Sequence, residues 1–211
     1  PALAPILPTA KGHMMLMDAG ANVDCRPEML VQFGIMGSCY MNKVMGVDSP
    51  KVGLVNVGAE DTKGREIELD AYKQFKEAPV NFYGNLEARE IPFGACEVVV
   101  SDGFTGNVVL KLYEGMGSYF AKTLKNMLTT TIRGKLAALL IYKKIKAFRS
   151  KMDYKEVGGA VLLGISKPVI KAHGSSDAKA FYNAIRQAIE CYKADVCGQI
   201  AKLTVSSKDE E

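Results

Sequence analysis

Short apolar runs, each ending in a loop rich in glycine, asparagine or aspartate, alternate with helical patterns along this chain. That rhythm restricts it to an α/β architecture with a largely parallel sheet. Met14–Asp18 runs into Gly20-Ala-Asn22-Val-Asp24, Lys51–Val57 into Gly58–Gly64, Val80–Tyr83 into Gly84-Asn85, and Cys96–Ser101 into Asp102-Gly103-Phe104-Thr105-Gly106-Asn107. Ala160–Leu163 and Val169–Lys171 read as two further strands, before His173-Gly174-Ser175-Ser176-Asp177. Helices are predicted between them. One has Pro27 near its first turn, with Met29, Leu30, Phe33, Met36, Tyr40 and Val44 at helical spacing before Gly46. Others run from Arg65 to Glu77, from Val108 to Leu128 and from Ala178 to Leu203.

In such sheets the loops after the strands gather along one edge, and ligands bind in the crevice there. Each loop alone is ordinary turn chemistry, and Asp102–Asn107 alone is a helix N-cap with turn glycines. Five of them on one rim, one carrying Lys63, point to a cleft for an oxyanion. Helix-opening N–H groups, the Thr105 hydroxyl and the Asn107 amide can all donate to such a group. Lys63 can act as a point charge for phosphate or as a solvated turn lysine, and His173 as an acid–base group or a local cap.

Several chemistries are disfavoured by what the sequence lacks. There is no G-x-x-x-x-G-K-[ST] phosphate loop, no G-x-S-x-G elbow and no G-x-G-x-x-G fingerprint after the first strand. The two histidines, His13 and His173, form no metal-ligand spacing, so no metal is expected. Five cysteines with no CxxC pair argue for reduced thiols in a cytoplasmic compartment. Cys25, where a loop meets a helix, can serve as a nucleophile or as a small buried side chain, and the second role is favoured.

The formal charge of +4 is unevenly placed. Nine basic residues and no acidic one lie between Lys122 and Lys151, which leaves 18 basic against 23 acidic elsewhere. Within that segment Ile132, Leu136, Leu139, Tyr142, Ile145 and Phe148 recur at helical steps, with Leu140 and Ile141 widening the apolar face. A basic amphipathic helix can lie on an anionic membrane, hold an acidic partner, or pack on a core or dimer partner with its lysines solvated. Nucleic acid is not expected, because the lysines are not interleaved with stacking aromatics.

Taken together, Asp18–Asp24, Gly53–Gly64, Ser101–Lys111, Gly158-Gly159 and Lys171–Asp177 resemble the bacterial phosphate acyltransferases of phospholipid synthesis. The resemblance implies transfer of a long-chain fatty acyl group from acyl carrier protein to inorganic phosphate, without a cofactor. It implies a three-layer α/β/α fold of the isocitrate/isopropylmalate dehydrogenase type, a homodimer, and peripheral attachment to the inner face of the cell membrane. Lys63 and Asn107 are its catalytic candidates. Asn22, Asn85, Asp102, Gly103, Thr105, Gly106, His173 and Ser175 are candidates for binding substrate or phosphate.

On this reading, residues 1–120 and 152–211 form the α/β core and 121–151 a basic helical protrusion. Ile132, Leu136, Leu139, Leu140 and Ile141 would touch the membrane. Family members carry a further N-terminal stretch with one wall of the cleft, so the core is expected to be incomplete from Pro1 onward. Two alternatives remain: phosphotransacetylase-like transfer from a small acyl-coenzyme A, and a non-catalytic membrane-associated scaffold.

Overall fold

The computed structural model of the chain describes residues 1–151, 158–172, 174 and 176–206. Among these, strands β1 (Ala2–Ala4), β2 (Ile6–Thr9), β3 (Gly12–Met17), β4 (Lys51–Asn56), β5 (Asn81–Glu87), β6 (Val98–Val100), β7 (Ala160–Leu163) and β8 (Val169–Lys171) form two sheets. The larger has the order β2-β3-β6-β4-β5. β3, β6, β4 and β5 pair in parallel, and β2 closes one edge as an antiparallel hairpin with β3. The smaller sheet, β1-β7-β8, is antiparallel.

A parallel sheet covered on both faces needs strands that are apolar on both sides, and alternate residues here do go opposite ways. Met15 and Met17 of β3, Val52 and Leu54 of β4, and Val98 and Val100 of β6 belong to one buried cluster. Met14, Leu16, Val55 and Val99 belong to the other. The first cluster is covered by α1 (Pro27–Lys43) and α2 (Glu66–Phe75), through Leu30, Phe33, Met36, Tyr40, Ala71 and Phe75. α1 lies very close to the sheet: a Cβ on Gly37 would sit 2.6 Å from Val98 Cγ1. The second cluster is covered by a 3-10 turn, Ala88–Phe93, and by Val109, Leu110 and Tyr113 of α3 (Gly103–Thr129). Helices therefore sit on both faces, giving α/β/α layering.

α3 starts five residues before the predicted Val108, because Asp102 caps it: its side chain accepts from the Thr105 N–H. Beyond Tyr113 the helix leaves the core, and its buried residues are only Gly103 and Gly106. α4 (Ile132–Leu140) and α5 (Tyr142–Lys151) follow, so the basic stretch Lys122–Lys151 runs from the end of α3 through two further helices that are broken at Ile141. The C-terminal helix predicted as one piece is also two, α6 (Ala178–Lys193) and α7 (Val196–Ser206), separated where Asp195 adopts φ 48°. Gln187 ties α6 to the rest. Its Nε2 donates to the Tyr40 hydroxyl and its Oε1 accepts from the Gly159 N–H.

Candidate functional site

The C-terminal ends of β3, β4 and β6 carry the three loops that form the rim, each anchored by a polar residue at or just past its strand. After β3, the fully buried Asp18 carboxylate accepts from the backbone N–H groups of Leu3, Gly20, Ala21 and Asn22 at 2.6–3.1 Å and from Asn22 Nδ2 at 2.8 Å. That one carboxylate folds the Gly20–Asn22 turn and fastens it to β1. At the end of β4, Asn56 accepts from the Val57 N–H and donates through Nδ2 to the Lys63 carbonyl, closing the loop that carries Lys63. After β6, Asp102 caps α3.

The loops also bind one another. The Gly103 N–H donates to the Asn22 carbonyl at 2.8 Å, and a Cβ on Gly106 would stand 1.9 Å from the Asp18 carbonyl oxygen. Only glycine allows the start of α3 to approach the Asp18 turn this closely. The Asn107 side chain lies over Gly20, 3.3 Å from where a Cβ would be, and its residue is exposed at the rim. On the other side, Arg65 reaches across the rim. It pairs with Glu68, Nε to Oε1 at 3.0 Å, and also with the Asp102 carboxylate.

Lys63, on its loop, and Asn107, near the start of α3, are both exposed and held in place through this network. The other predicted contacts divide differently. The Asn22 amide donates to Asp18 and to the Pro1 carbonyl, so it braces the turn. The Gly103 and Thr105 N–H groups are occupied by Asn22 and Asp102, while the Gly106 N–H bonds the Asp102 carbonyl. Thr105 also bonds Asp102 through its side chain, which leaves the exposed Asn107 amide as the side-chain donor that the start of α3 presents to an anion. Gly84 and Asn85 lie inside β5, not in a loop after it; a longer strand forms because β5 pairs with β4 as far as Glu87. Asn85 is buried beneath the Lys63 loop, donating to the Glu60 carbonyl at 2.7 Å, with its Oδ1 unpartnered. His173 and Ser175 lie outside the described residues. The loop that holds them follows β8 of the smaller sheet, so the five loops do not share one sheet edge.

Electrostatics follow from burial and pairing. Burial alone would push the Asp102 carboxyl up, but the Thr105 N–H and the Arg65 guanidinium overcome it and hold the group below the usual carboxylate range. Burial raises the Cys25 thiol, and its Sγ lies 3.6 Å from the Asn22 carbonyl, which fits a small packed side chain better than a nucleophile. No cluster of three His, Cys, Asp or Glu suited to a metal occurs among the described residues. An open cavity of about 770 Å³ lies at the opposite end of the sheet, lined by Ser38, Asn42, Lys43, Pro50 and Asn81.

Asp18, Asn56, Arg65 and Glu68 organise this rim and were not among the predicted contacts. For Asp18 and Asn56 a signal exists: a lone polar residue ends an apolar strand just before a glycine loop. The Arg65-x-x-Glu68 spacing is visible too, but the pairing of Arg65 with Asp102, across 37 positions, is not.

Residues 1–199 match the family described as "Fatty acid synthesis protein". A phosphate acyltransferase from Thermoanaerobacter pseudethanolicus is 51% identical over 210 residues, covering 100% of this chain and 63% of that protein. One from Bacillus licheniformis is 50% identical over 211 residues, covering 100% and 64%. The chain thus spans just under two thirds of the length of these relatives. Among solved structures, a phosphotransacetylase from Streptococcus pyogenes aligns with a TM-score of 0.55 at 13% identity, over 92% of this chain and 53% of that one. A branched-chain phosphotransacylase from Enterococcus faecalis gives 0.52 at 14%, over 90% and 65%. At these identities the structures share the fold.

Proposed function

Since the chain belongs to the fatty acid synthesis protein family, we propose that it is the larger part of an acyltransferase that joins an acyl group to inorganic phosphate. The donor we propose is a long-chain fatty acyl thioester of acyl carrier protein, and the product an acyl phosphate for phospholipid synthesis. The observation that carries this reading is the pair Lys63 and Asn107, exposed on the loop after β4 and at the start of the helix after β6, two segments that Arg65 ties together. Family relatives named phosphate acyltransferase support the reaction class.

The chemistry needs no covalent intermediate on the protein. A phosphate oxygen attacks the thioester carbonyl, the C–O bond forms, the C–S bond breaks, and the departing thiolate takes up a proton from solvent. The Lys63 charge and the Asn107 amide hold phosphate and the tetrahedral oxyanion. Each well-aimed donor contributes on the order of 3 kcal/mol, and positioning the two substrates supplies much of the rest.

The remaining features extend the same proposal. The fold would be of the isocitrate/isopropylmalate dehydrogenase type, with residues 121–151 as a protrusion from the core formed by 1–120 and 152–211. Ile132, Leu136, Leu139 and Leu140 are 59–86% exposed on or beside a lysine-rich surface, and Ile141 is exposed at the helix break, which supports contact with an anionic membrane. No helix among the described residues is long and apolar enough to cross a membrane, so attachment would be peripheral, on the cytoplasmic side. A homodimer is supported by α6, which exposes Phe181, Tyr182, Ile185, Ile189 and Tyr192 on one side. Acyl carrier proteins are acidic, and the same lysines could meet one.

The test is acyl phosphate formation by the full-length protein from phosphate with palmitoyl-acyl carrier protein or acetyl-coenzyme A as donor. Preference for the long-chain donor is expected. Preference for acetyl-coenzyme A would replace the proposed substrate, and no acyl phosphate from either would end the reading.

A further inference from the structure

Arg65 is two residues beyond Lys63, yet its guanidinium pairs with Asp102, five residues before Asn107. It is a charged link between the Lys63 loop and the start of α3, which carries Asn107. Its own end is fixed as well. The Arg65 backbone N–H donates to Glu68 Oε2 at 2.8 Å, and Nε lies 3.0 and 3.1 Å from the two Glu68 oxygens. Both carboxylates are buried, Glu68 at 7% and Asp102 at 4% exposure, whereas the Arg65 side chain is 61% exposed. Two buried carboxylates close to one another need a cation between them, and Arg65 is the cation bonded to both.

We propose that Arg65 is a positioning residue: through Asp102 and Glu68 it locks the Lys63 loop to the first turn of α3, setting the separation of Lys63 from Asn107. This rests on the reading of those two residues given above. The geometry favours a linking role over a direct hold on substrate. The fork is already committed to two carboxylates, which cancel its charge toward an incoming anion. Asp102 Oδ1 meanwhile accepts from the Thr105 N–H at 2.6 Å, so pulling on Asp102 pulls on the helix start that aims Asn107. Small displacements of a reacting group are costly to rate, and much less so to binding.

The experiment uses the full-length protein as Arg65→Met, Arg65→Lys, Asp102→Asn and the Arg65→Met/Asp102→Asn double variant. Asparagine keeps the cap of α3 while removing the charge that faces Arg65. Two quantities are measured: acyl phosphate kinetics against inorganic phosphate, and amide hydrogen exchange of residues 57–64 and 102–107. Arg65→Met is expected to lower kcat about tenfold with KM for phosphate held within about twofold, and the double variant to be no worse than Arg65→Met. Exchange should rise in both segments together, and Arg65→Lys should recover part of each effect.

A rise in phosphate KM at unchanged kcat, present also with Asp102→Asn, would make Arg65 a direct phosphate ligand and overturn the proposal. So would multiplicative losses in the double variant, or unchanged exchange. If the unaltered protein makes no acyl phosphate, the proposed activity fails, while the exchange measurement still decides whether Arg65 joins the two segments.

Discussion

The core and the basic arm use the same apolar alphabet in opposite ways. In the core, Met14, Met15, Leu16 and Met17 of one strand are all completely buried, on alternating faces. In α4, at similar apolar density, no residue is buried and Leu140 is 86% exposed. A helical or strand period thus tells where side chains point, not whether anything covers them. The core closes over its apolar surface with its own helices. The arm leaves its apolar side chains exposed beside a run of lysines.

Substitutions can break or sharpen that contrast. The largest loss of stability is expected for Phe75→Ala: the ring is fully buried and stacked on Phe82 with centroids 4.7 Å apart, so unfolding by denaturant should show a loss of about 3–5 kcal/mol. Next comes Gly106→Ala, whose new Cβ meets backbone at Asp18; crowding there should cost about 1–3 kcal/mol and tilt Asn107 out of place, read as a joint fall in stability and acyl phosphate formation.

Asp102→Asn should have a smaller effect, and a pH-dependent one. A carboxylate with a depressed pKa in the folded state stabilises above its unfolded value, near about 4, and loses that contribution as pH falls through the folded value. The gap between the original protein and the variant should therefore be full at pH 6 and shrink toward pH 3 in urea titrations. At the small end, Leu139→Glu with Leu140→Glu in the arm should change stability by no more than about 0.5 kcal/mol, while releasing the protein from anionic vesicles in sedimentation. Unchanged sedimentation would leave the arm's apolar face without its proposed partner.

The sequence made the core's order readable because β3, β4 and β6 each carry a continuous apolar run, and because Pro27, Gly46 and Pro79 punctuate the helices. β1 and β2 have no such signal, since three prolines interrupt Pro1–Pro8 and their pairing partners are distant or across a hairpin. The break at Asp195 was hidden for a similar reason: no Gly or Pro marks it, and a single residue in the left-handed region ends α6. At the site, exposed Lys63 was legible as a loop residue and exposed Asn107 as a residue at a helix start. Their supports were less so, because Asp18 and Arg65 act through partners that only the fold brings near. Their sequence positions make Asn22 and Asn85 candidates for contacting a ligand, whereas in the structure their amide donors bond the protein itself.

The most direct test replaces the two exposed groups in the full-length protein, as Lys63→Ala and Asn107→Ala, and follows acyl phosphate formation from palmitoyl-acyl carrier protein. Each variant should remain folded and lose about 10²–10³-fold in rate, the scale for removing one oxyanion donor. Folded variants that form acyl phosphate at the original rate would contradict the assignment of this rim as the reaction site.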